Sequence, residues 1–379
     1  MSEIYFDNSS TTKVCREAAE KVMEVMTENY GNPSSLHTIG FRAEQEMRAA
    51  RSAVASLLDV RPEEIYFTSG GTESNNIALF GAARARKKRG RRIVTTAIEH
   101  PSVLNTMKKL EQEGFEVVYL KPDGRGHIAP EQIFRAVTPD TVLVSIMRVN
   151  NEVGSILPVE AAAEAIAAAK APALLHMDAV QAFGKLPLRP RKLGVDLMSA
   201  SAHKIHGPKG SGALYVRAGV HIEPLTYGGG QEKNLRPGTE SVPLIAGFGA
   251  AVRALPDPQT ELAGMKKLNA FCRAQLAGIP DLAVNSPDNA LPYILNFSAD
   301  GVRAENMLHF LSERGIYVSS GSACSRGRES YVLRAMGLPR ERIASALRLS
   351  FCRWNTEDEV RAFAAALKDG LAALTRRPL

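Results

Sequence analysis

Short apolar runs alternate with stretches of helical length between residues 64 and 216. The runs that predict strands are 64–68, 92–97, 116–120, 141–147, 173–178, 195–201 and 213–216. Most of them are separated by segments with apolar residues at helical spacing. Apolar strands that alternate with helices pack as a mostly parallel sheet covered by helices on both faces. We therefore predict an α/β fold built on such a sheet.

The alternation ends near the sequence A-L-P-D-P at 254–258. Beyond it the sequence predicts helices interrupted by short strands at 291–297 and 347–351, a pattern typical of a smaller α+β domain. Near the other end of the chain, Thr12 is predicted to cap a helix that runs to about residue 29. The predicted division is a large domain of residues 13–255 and a small C-terminal domain of residues 256–379 joined by residues 1–12.

The charge and composition are those of an ordinary globular chain. Its 379 residues carry a formal net charge of +7, and seven basic residues lie in the run R-A-R-K-K-R-G-R-R at 84–92. We interpret this run as a cationic helix end facing solvent, and expect no direct nucleic-acid binding because no aromatic residues interleave. Docking of a partner there stays open. No apolar run approaches membrane-spanning length and no signal-peptide pattern is present, so we expect a cytoplasmic protein.

The four cysteines form no C-x-x-C pair and no disulfide-like pattern. This fits a reducing compartment and gives no reason to expect a metal site. Cys324 differs from the others because it lies in S-S-G-S-A-C-S-R-G-R, which is too rich in Gly and Ser for a core and has arginines that favour a thiolate. We predict that Cys324 is a nucleophile and that Cys15, Cys272 and Cys352 are buried and unreactive. The alternative for Cys324 is an incidental loop thiol.

Lys204 lies in S-A-S-A-H-K-I-H-G-P-K-G, just past the carboxyl end of the strand predicted at 195–201. In open α/β sheets, ligands bind at that edge. A lysine there is placed to form a Schiff base with a carbonyl cofactor. The alternative is a surface lysine in a loop.

Other polar residues follow the neighbouring predicted strands and favour the cofactor interpretation. They are Thr72 in S-G-G-T, Glu99 and His100, Asn150, Asn151 and Glu152, His176, Asp178 and Gln181, and Ser201 and His203. A strand, a glycine turn and a helix start offer backbone N–H groups to a phosphate, although S-G-G-T is equally a capped turn. An amine, a carboxylate, imidazoles and amides at one sheet edge predict a site for pyridoxal 5'-phosphate.

Each residue type suits one part of that cofactor. A carboxylate must face the pyridine nitrogen to keep it protonated, and Asp178 ends an otherwise apolar strand; its alternative role is a helix cap. Asn151 and Gln181 suit the ring hydroxyl, and His100 can stack on the ring and move protons. The residues suited to the phosphate are Thr72, Ser201 and His203. Arg348 alternates with apolar residues on the strand at 347–351, so its side chain either clamps an amino-acid carboxylate or lies on a solvated face.

These residues belong to motifs that resemble the NifS/IscS-type cysteine desulfurases, which have the aspartate-aminotransferase (type I) fold of pyridoxal phosphate enzymes. The shared motifs are Y-F-D-N-S-S-T-T, G-N-P-S-S-L-H, F-T-S-G-G-T-E-S-N-N, T-T-A-I-E-H-P-S-V, V-N-N-E-V-G, H-M-D-A-V-Q, S-A-H-K-I-H-G-P-K-G, G-G-G-Q-E, R-P-G-T-E, S-S-G-S-A-C-S and L-R-L-S. They cover essentially the whole chain.

The resemblance implies roles for individual residues. Lys204 corresponds to the Schiff-base lysine, Asp178 to the partner of the pyridine nitrogen, Arg348 to the substrate-carboxylate arginine and Cys324 to the nucleophile. The remaining cofactor contacts match the family at Thr72, His100, Asn151, Gln181, Ser201 and His203. Thr239 in R-P-G-T-E corresponds to a phosphate contact from the other subunit, which implies a homodimer.

The implied reaction converts L-cysteine to L-alanine and leaves a persulfide on Cys324 for an acceptor. After Cys324 the chain reads S-R-G-R-E-S, where relatives that supply iron–sulfur scaffolds carry a longer segment ending in L-E-P-S. The acceptor therefore stays open between a cluster scaffold and a tRNA- or thiamine-pathway sulfurtransferase. Competing interpretations are a selenocysteine lyase, another pyridoxal phosphate enzyme such as an aminotransferase, and a sulfur-relay scaffold without catalysis.

Overall fold

The computed structural model describes residues 3–320 and 329–374. Its strands are β1 (Ile4–Tyr5), β2 (Ile65–Thr68), β3 (Arg92–Thr96), β4 (Glu116–Leu120), β5 (Thr141–Ser145), β6 (Leu174–Asp178), β7 (Leu197–Ser201), β8 (Gly212–Val216), β9 (Leu282–Val284), β10 (Ile294–Ala299), β11 (Ile316–Tyr317) and β12 (Ala346–Ser350). Its helices are α1 (Arg16–Thr27), α2 (Thr38–Leu58), α3 (Gly71–Arg86), α4 (Pro101–Gln112), α5 (Pro130–Ala136), α6 (Val159–Ala168), α7 (Val242–Arg253), α8 (Pro258–Ala277), α9 (Ala304–Ser312), α10 (Tyr331–Ala335), α11 (Arg340–Ala344) and α12 (Glu357–Ala373).

A seven-stranded sheet forms the centre of the molecule, with the strand order β2-β8-β7-β6-β5-β3-β4. The strands from β7 to β4 in this order are parallel, whereas β8 runs antiparallel to both β7 and β2. The carboxyl ends of β3, β5, β6 and β7 therefore meet at one edge. The predicted α/β class with a mostly parallel sheet is confirmed.

Both faces of this sheet are buried. Successive residues point to opposite sides, so Ile93 and Leu143 belong to a core cluster with residues of α3 and α4, while Val94 and Val144 belong to the cluster that includes residues of α5 and α6. All four side chains have no exposed surface. This explains why the strands read as continuous apolar runs.

A smaller sheet lies beside the carboxyl edge of the large one. It has the antiparallel order β12-β10-β9, and β1 pairs separately with β11 in parallel. Phe6, directly after β1, is fully buried and its ring meets the edges of Phe351 and Phe363 at centroid distances of 5.4 and 6.0 Å. Residues 7–12 leave this cluster and run along the edge of the large sheet. The proposed domain boundary at 255/256 falls between α7 and α8 and stays a prediction.

Two local expectations are corrected. Thr12 does not cap α1, which begins at Arg16 after Cys15; its hydroxyl donates to the His203 carbonyl (2.9 Å) and accepts from the His206 amide (2.8 Å). The sequence also did not predict α7, whose residues are almost all buried against α1 and α2, so that no polar face marks its helical period. Within the described parts of the chain, none of the helices combines the length and apolar character that crossing a membrane requires.

Candidate active site

A cavity of about 260 Å³ opens at the carboxyl edge of the large sheet. The predicted residues that line it are Thr72, His100, Asn151, Asp178, Gln181, Ser201, His203, Lys204 and Arg348. They come from the ends of β2, β3, β5, β6 and β7 and from β12 of the small sheet. The structure therefore brings together nine of the eleven predicted site residues.

The turn between β2 and α3 has the form of an anion-binding site. Gly70 adopts a φ of 154°, and a Cβ at Gly71 would lie 2.5 Å from a Val180 methyl, so the turn requires glycine at both positions. The first residues of α3, Gly71 and Thr72, line the cavity, where a helix start offers backbone N–H groups and a positive dipole end. Ser201 Oγ lies next to this turn, is buried and has no hydrogen-bond partner among the described residues. A phosphate group fits this arrangement because it supplies the acceptor that Ser201 lacks.

Asp178 is held in place as a buried carboxylate at the end of β6. It is 4% exposed; Oδ2 accepts from Asn75 Nδ2 (2.7 Å) and Oδ1 accepts from the Val180 amide (2.9 Å). Asn75 also donates to Ser102 Oγ (2.9 Å), which ties α3 to α4. The bond to Val180 is a local turn contact, but Asp178 precedes no helix, so the cap alternative is wrong. A carboxylate with one face toward the cavity is suited to a protonated ring nitrogen.

His100 has a defined orientation and tautomer because it caps α4. Its Nδ1 accepts from the Ser102 amide (3.2 Å) and lies 2.8 Å from Ser102 Oγ. Burial lowers the pKa of His100, although the negative charge of Asp178 acts in the opposite direction. A neutral imidazole that accepts at Nδ1 carries its proton on Nε2. His100 therefore presents an N–H donor rather than a cation.

Lys204 follows β7 in a single 3₁₀ turn, Ala202–Lys204. Its Nζ donates to the main-chain carbonyls of Ser9 (2.5 Å) and Ser10 (2.8 Å). The Ser9 carbonyl also accepts from Gln181 Nε2 (2.9 Å), so one carbonyl orients two predicted cofactor contacts. Sequence reasoning missed Ser9 and Ser10, although their motif Y-F-D-N-S-S-T-T was recognised, because 195 residues separate Ser9 from Lys204.

His203 lines the cavity as a neutral side chain. Its Nδ1 lies 3.2 Å from Thr11 Oγ1. Burial, together with the positive charges of Lys204 and Lys209, lowers the pKa of His203 to about 4. It can therefore donate a neutral hydrogen bond to an anion without adding a charge.

Arg348 is buried, so the alternative of a solvated strand face is wrong. Only 2% of it is exposed. Nη1 donates to the Asn151 carbonyl (2.8 Å), and Nη2 donates to Asp7 Oδ1 (2.8 Å) and Ser10 Oγ (2.7 Å). The Asn151 side-chain oxygen is buried without a partner among the described residues. The guanidinium thus reaches the cavity from the small sheet, and Ser10 bonds to both the arginine and the lysine.

Two predicted site residues remain, Thr239 and Cys324. Thr239 is exposed and lies outside the cavity of its own chain, and Cys324 falls in 321–328, outside the described residues. Cys15, Cys272 and Cys352 are buried as predicted, and burial raises the pKa of the Cys272 thiol to about 12. A thiol with so high a pKa is a poor nucleophile at neutral pH.

Four other residues at the strand ends lie behind the cavity. His176 is wedged between Ser145 Oγ (2.9 Å) and Ser199 Oγ (3.1 Å), where burial lowers its pKa to about 3. Asn150 stabilises its own loop, because its Oδ1 accepts from the amides of Glu152 (2.9 Å) and Val153 (3.0 Å). Glu99 and Glu152 are fully buried carboxyls, and burial raises the pKa of Glu99 to about 8. These groups support the cavity wall rather than face a ligand.

The chain has close relatives in both sequence and structure. It matches the aminotransferase class-V family over residues 4–363. The cysteine desulfurase IscS of Methanosarcina thermophila is 43% identical over 361 residues, which is 94% of this chain and 89% of the relative. A solved NifS-like protein superposes with a TM-score of 0.93 at 42% identity, over 98% of this chain and all of the other. The structure of SspA in complex with cysteine has a TM-score of 0.82 at 35% identity, over 94% and 100% of the two chains. The chain therefore belongs to the class-V aminotransferase family and, within it, to the NifS/IscS-type cysteine desulfurases that its motifs predicted.

Proposed function

We propose that the protein is a pyridoxal 5'-phosphate-dependent cysteine desulfurase that acts on L-cysteine. The observation that carries this proposal is the convergence of Lys204, Asp178 and Arg348 on one cavity in a chain 43% identical to a named cysteine desulfurase. The cysteine bound in the related SspA structure supports the choice of substrate.

The cavity suits pyridoxal 5'-phosphate at both of its ends. The α3 turn with Thr72 and the unpartnered Ser201 Oγ would hold the phosphate, and Asp178 would hold the ring nitrogen. Gln181 and Asn151 would contact the ring hydroxyl. When bound, this cofactor supplies the electron sink for bond breaking at the substrate carbons.

The chain's own groups divide the work on the substrate. Arg348 would take the substrate carboxylate, because a planar guanidinium matches a carboxylate with two parallel N–H groups. Lys204 would remove and return protons at the substrate carbon, and the Ser9 and Ser10 carbonyls fix where its amine starts. The Nε2–H of His100 would donate a hydrogen bond into the same space.

Cys324 would accept the sulfur. Its thiolate attacks the sulfur of L-cysteine, so that an S–S bond forms and the substrate C–S bond breaks. The electron pair of that bond stays with the substrate carbon, which takes up a proton and leaves as L-alanine. The enzyme keeps a Cys324 persulfide, and no outside oxidant or reductant is needed. A protein acceptor, either a cluster scaffold or a tRNA- or thiamine-pathway sulfurtransferase, would then remove the sulfur in the cytoplasm.

A homodimer is part of the same proposal. Large apolar side chains are exposed along α1, α2 and the loop between them, among them Met23, Met26, Leu36 and Phe41. A patch of this kind is typical of a protein–protein interface. Thr239 is exposed and free to reach a second copy. Sedimentation of the wild type and of Leu36→Asp tests this point, and a wild type that sediments as a monomer would contradict it.

The decisive experiment compares Cys324→Ala with Cys15→Ala in the cofactor-loaded protein. L-alanine and sulfide are assayed together, and absorbance reports the bound cofactor. We expect Cys324→Ala to keep the cofactor and lose alanine production, while Cys15→Ala retains both. Alanine formed at the wild-type rate by Cys324→Ala would overturn the sulfur-transfer role. A wild type active on selenocysteine but not on cysteine would instead identify a selenocysteine lyase.

A further inference from the structure

The guanidinium of Arg348, which is proposed to bind the substrate carboxylate, forms an ion pair with the carboxylate of Asp7 in the protein itself. The Arg348 Nη2 group lies 2.8 Å from Asp7 Oδ1 and 2.7 Å from Ser10 Oγ. Ser10 Oγ in turn donates to the same Asp7 oxygen (2.8 Å). The other end of the fork, Nη1, is bound to the Asn151 carbonyl (2.8 Å). Both terminal nitrogens of the guanidinium, Nη1 and Nη2, are thus bound by the protein itself.

The remaining nitrogen, Nε, is one that a ligand carboxylate could use. Arg348 Nε is buried and has no hydrogen-bond partner in the described part of the chain. A carboxylate bound with two parallel hydrogen bonds uses two N–H groups on one edge of the guanidinium. If Nε supplies one of them, the second must come from Nη2, which Asp7 and Ser10 already occupy. A ligand carboxylate must therefore compete with the Asp7 side chain.

Asp7 has a clear physical role when no substrate is present. A guanidinium that is 98% buried would be costly without a counter-ion, and Asp7 offsets that cost. Once a substrate carboxylate arrives, two negative groups on one cation repel each other. The main chain of Asp7 is fixed by its bridge to Ser350, so its side chain must yield by rotating.

We propose that Asp7 is a specificity-determining residue that stands in for the substrate carboxylate on Arg348 and lowers the affinity for every carboxylate ligand, product included. This inference rests on the proposed function, because it takes Arg348 as the carboxylate site. Asp7 keeps Arg348 oriented in the empty enzyme and promotes release of the L-alanine product. The ligand class it acts on is the α-amino carboxylate, not the amine or the thiol.

The test is Asp7→Asn in the cofactor-loaded enzyme, with Asp358→Asn as the control. Asp358 is an exposed acid paired with Arg361 on α12, far from the cavity. We expect Asp7→Asn to lower the KM for L-cysteine about tenfold, since it removes one competing charged hydrogen bond. The Kd of L-alanine, measured by calorimetry, should fall by the same factor. Cysteamine, which lacks the carboxylate, should bind both proteins equally.

The opposite results are equally clear. A KM and an alanine Kd that stay constant or rise in Asp7→Asn would mean that Asp7 only orients Arg348, and the proposal would be overturned. An equal change for cysteamine would also overturn it, because the effect would not depend on the carboxylate. Asp7→Ser, a second neutral variant with the same expected direction, serves if Asp7→Asn does not fold. A wild type that makes no alanine from cysteine would refute the proposed function, whereas alanine binding tests the role of Asp7 separately.

Discussion

The cavity has two walls that are built in different ways. The sheet wall consists of Asp178 and Ser201, the last residues of β6 and β7, together with Thr72 and His100, which lie within four residues of the carboxyl ends of β2 and β3. The strap wall consists of residues 7–12 together with Arg348, and its contacts join the two ends of the chain: 341 residues separate Asp7 from Arg348. Lys204 follows β7 of the large sheet, but its amine is held by the Ser9 and Ser10 carbonyls of the strap wall. The sheet wall therefore carries most of the groups proposed for the cofactor, whereas the strap wall aims the lysine and the arginine.

The strap wall depends on a few long-range bonds. Asn8 Nδ2 donates to the Ser350 carbonyl (2.9 Å), and the Ser9 amide donates to Ser350 Oγ (2.8 Å). Phe6 anchors the strap in the core beside Phe351. These contacts place the Ser9 and Ser10 carbonyls against Lys204. A substitution that loosens residues 7–12 should therefore lower turnover by displacing the Lys204 amine.

The largest expected effect is that of Lys204→Ala, which removes the group shared by both walls. We expect turnover of L-cysteine to fall by about 10³-fold or more, because a positioned acid–base group contributes about 10²–10⁴-fold and the attachment of the cofactor is lost as well. The measurement is alanine production under saturating cysteine. Lys209→Ala, an exposed lysine five residues later, is the control and should keep wild-type turnover. Comparable loss in both variants would contradict the assignment.

Phe6→Ala tests whether the strap wall is held by packing. The ring is fully buried, so its removal should cost about 3–5 kcal/mol in the free energy of unfolding. Urea denaturation measures this cost, with Phe134→Ala as a control at a partly exposed position, expected within about 1 kcal/mol of the wild type. At urea concentrations well below the midpoint, where the variant is still folded, it should also convert L-cysteine more slowly than the wild type. The reason is that the carbonyls that orient Lys204 lose their anchor. A large loss of stability with unchanged turnover would show that the strap does not aim the lysine.

The difference between the walls also explains how much the sequence could predict. Residues that follow strands of one parallel sheet share an edge, so the order of the motifs was enough to group Thr72, His100, Asp178 and Lys204. The resemblance to cysteine desulfurases added Thr239 and strengthened the assignments of Arg348 and Cys324. Nothing local indicates that the Ser9 carbonyl accepts from Lys204, or that Asp7 pairs with Arg348. Those contacts need the parallel pairing of β1 with β11, which periodicity does not reveal.

Local patterns misled the sequence reasoning where a polar side chain found a distant partner. Thr12 has the form of a helix cap but bonds to the loop around His203 and His206 instead. His176 lies among the site motifs yet is enclosed by two serines of neighbouring strands. In both cases the residue type fitted a local role, and tertiary contacts decided otherwise.

Ser330→Ala tests a smaller contact, which lies behind both walls of the cavity. Ser330 caps α10, where its Oγ accepts from the Leu333 amide (3.0 Å), and its hydroxyl donates to the buried Glu152 carboxylate next to Asn151. The variant loses a cap and leaves a buried acid without that donor, so we expect a cost of about 2–3 kcal/mol. Thr356→Ala at the start of α12 removes an exposed cap alone and should cost about 1 kcal/mol. Equal losses in chemical denaturation would show that the bond to Glu152 adds nothing.

The smallest expected effect at acid pH is that of Glu99→Gln, which changes the support of the sheet wall only as the pH rises. The Glu99 Oε1 atom accepts from Thr96 Oγ1 (2.8 Å) and the Met147 amide (2.9 Å), and a glutamine oxygen can keep both bonds. Burial raises the pKa of Glu99 to about 8, above its ordinary value, so the folded protein holds a proton that the unfolded chain releases. Its contribution to stability is therefore present at acid pH and is lost as the pH rises toward and through 8. We expect wild type and variant to unfold alike at pH 5, and the variant to be more stable by about 4 kcal/mol at pH 9, since each pH unit between 5 and 8 costs the wild type about 1.4 kcal/mol. A constant difference between the two proteins at both pH values would mean that Glu99 does not titrate in this range, and that the sheet wall is supported by an ionised carboxylate.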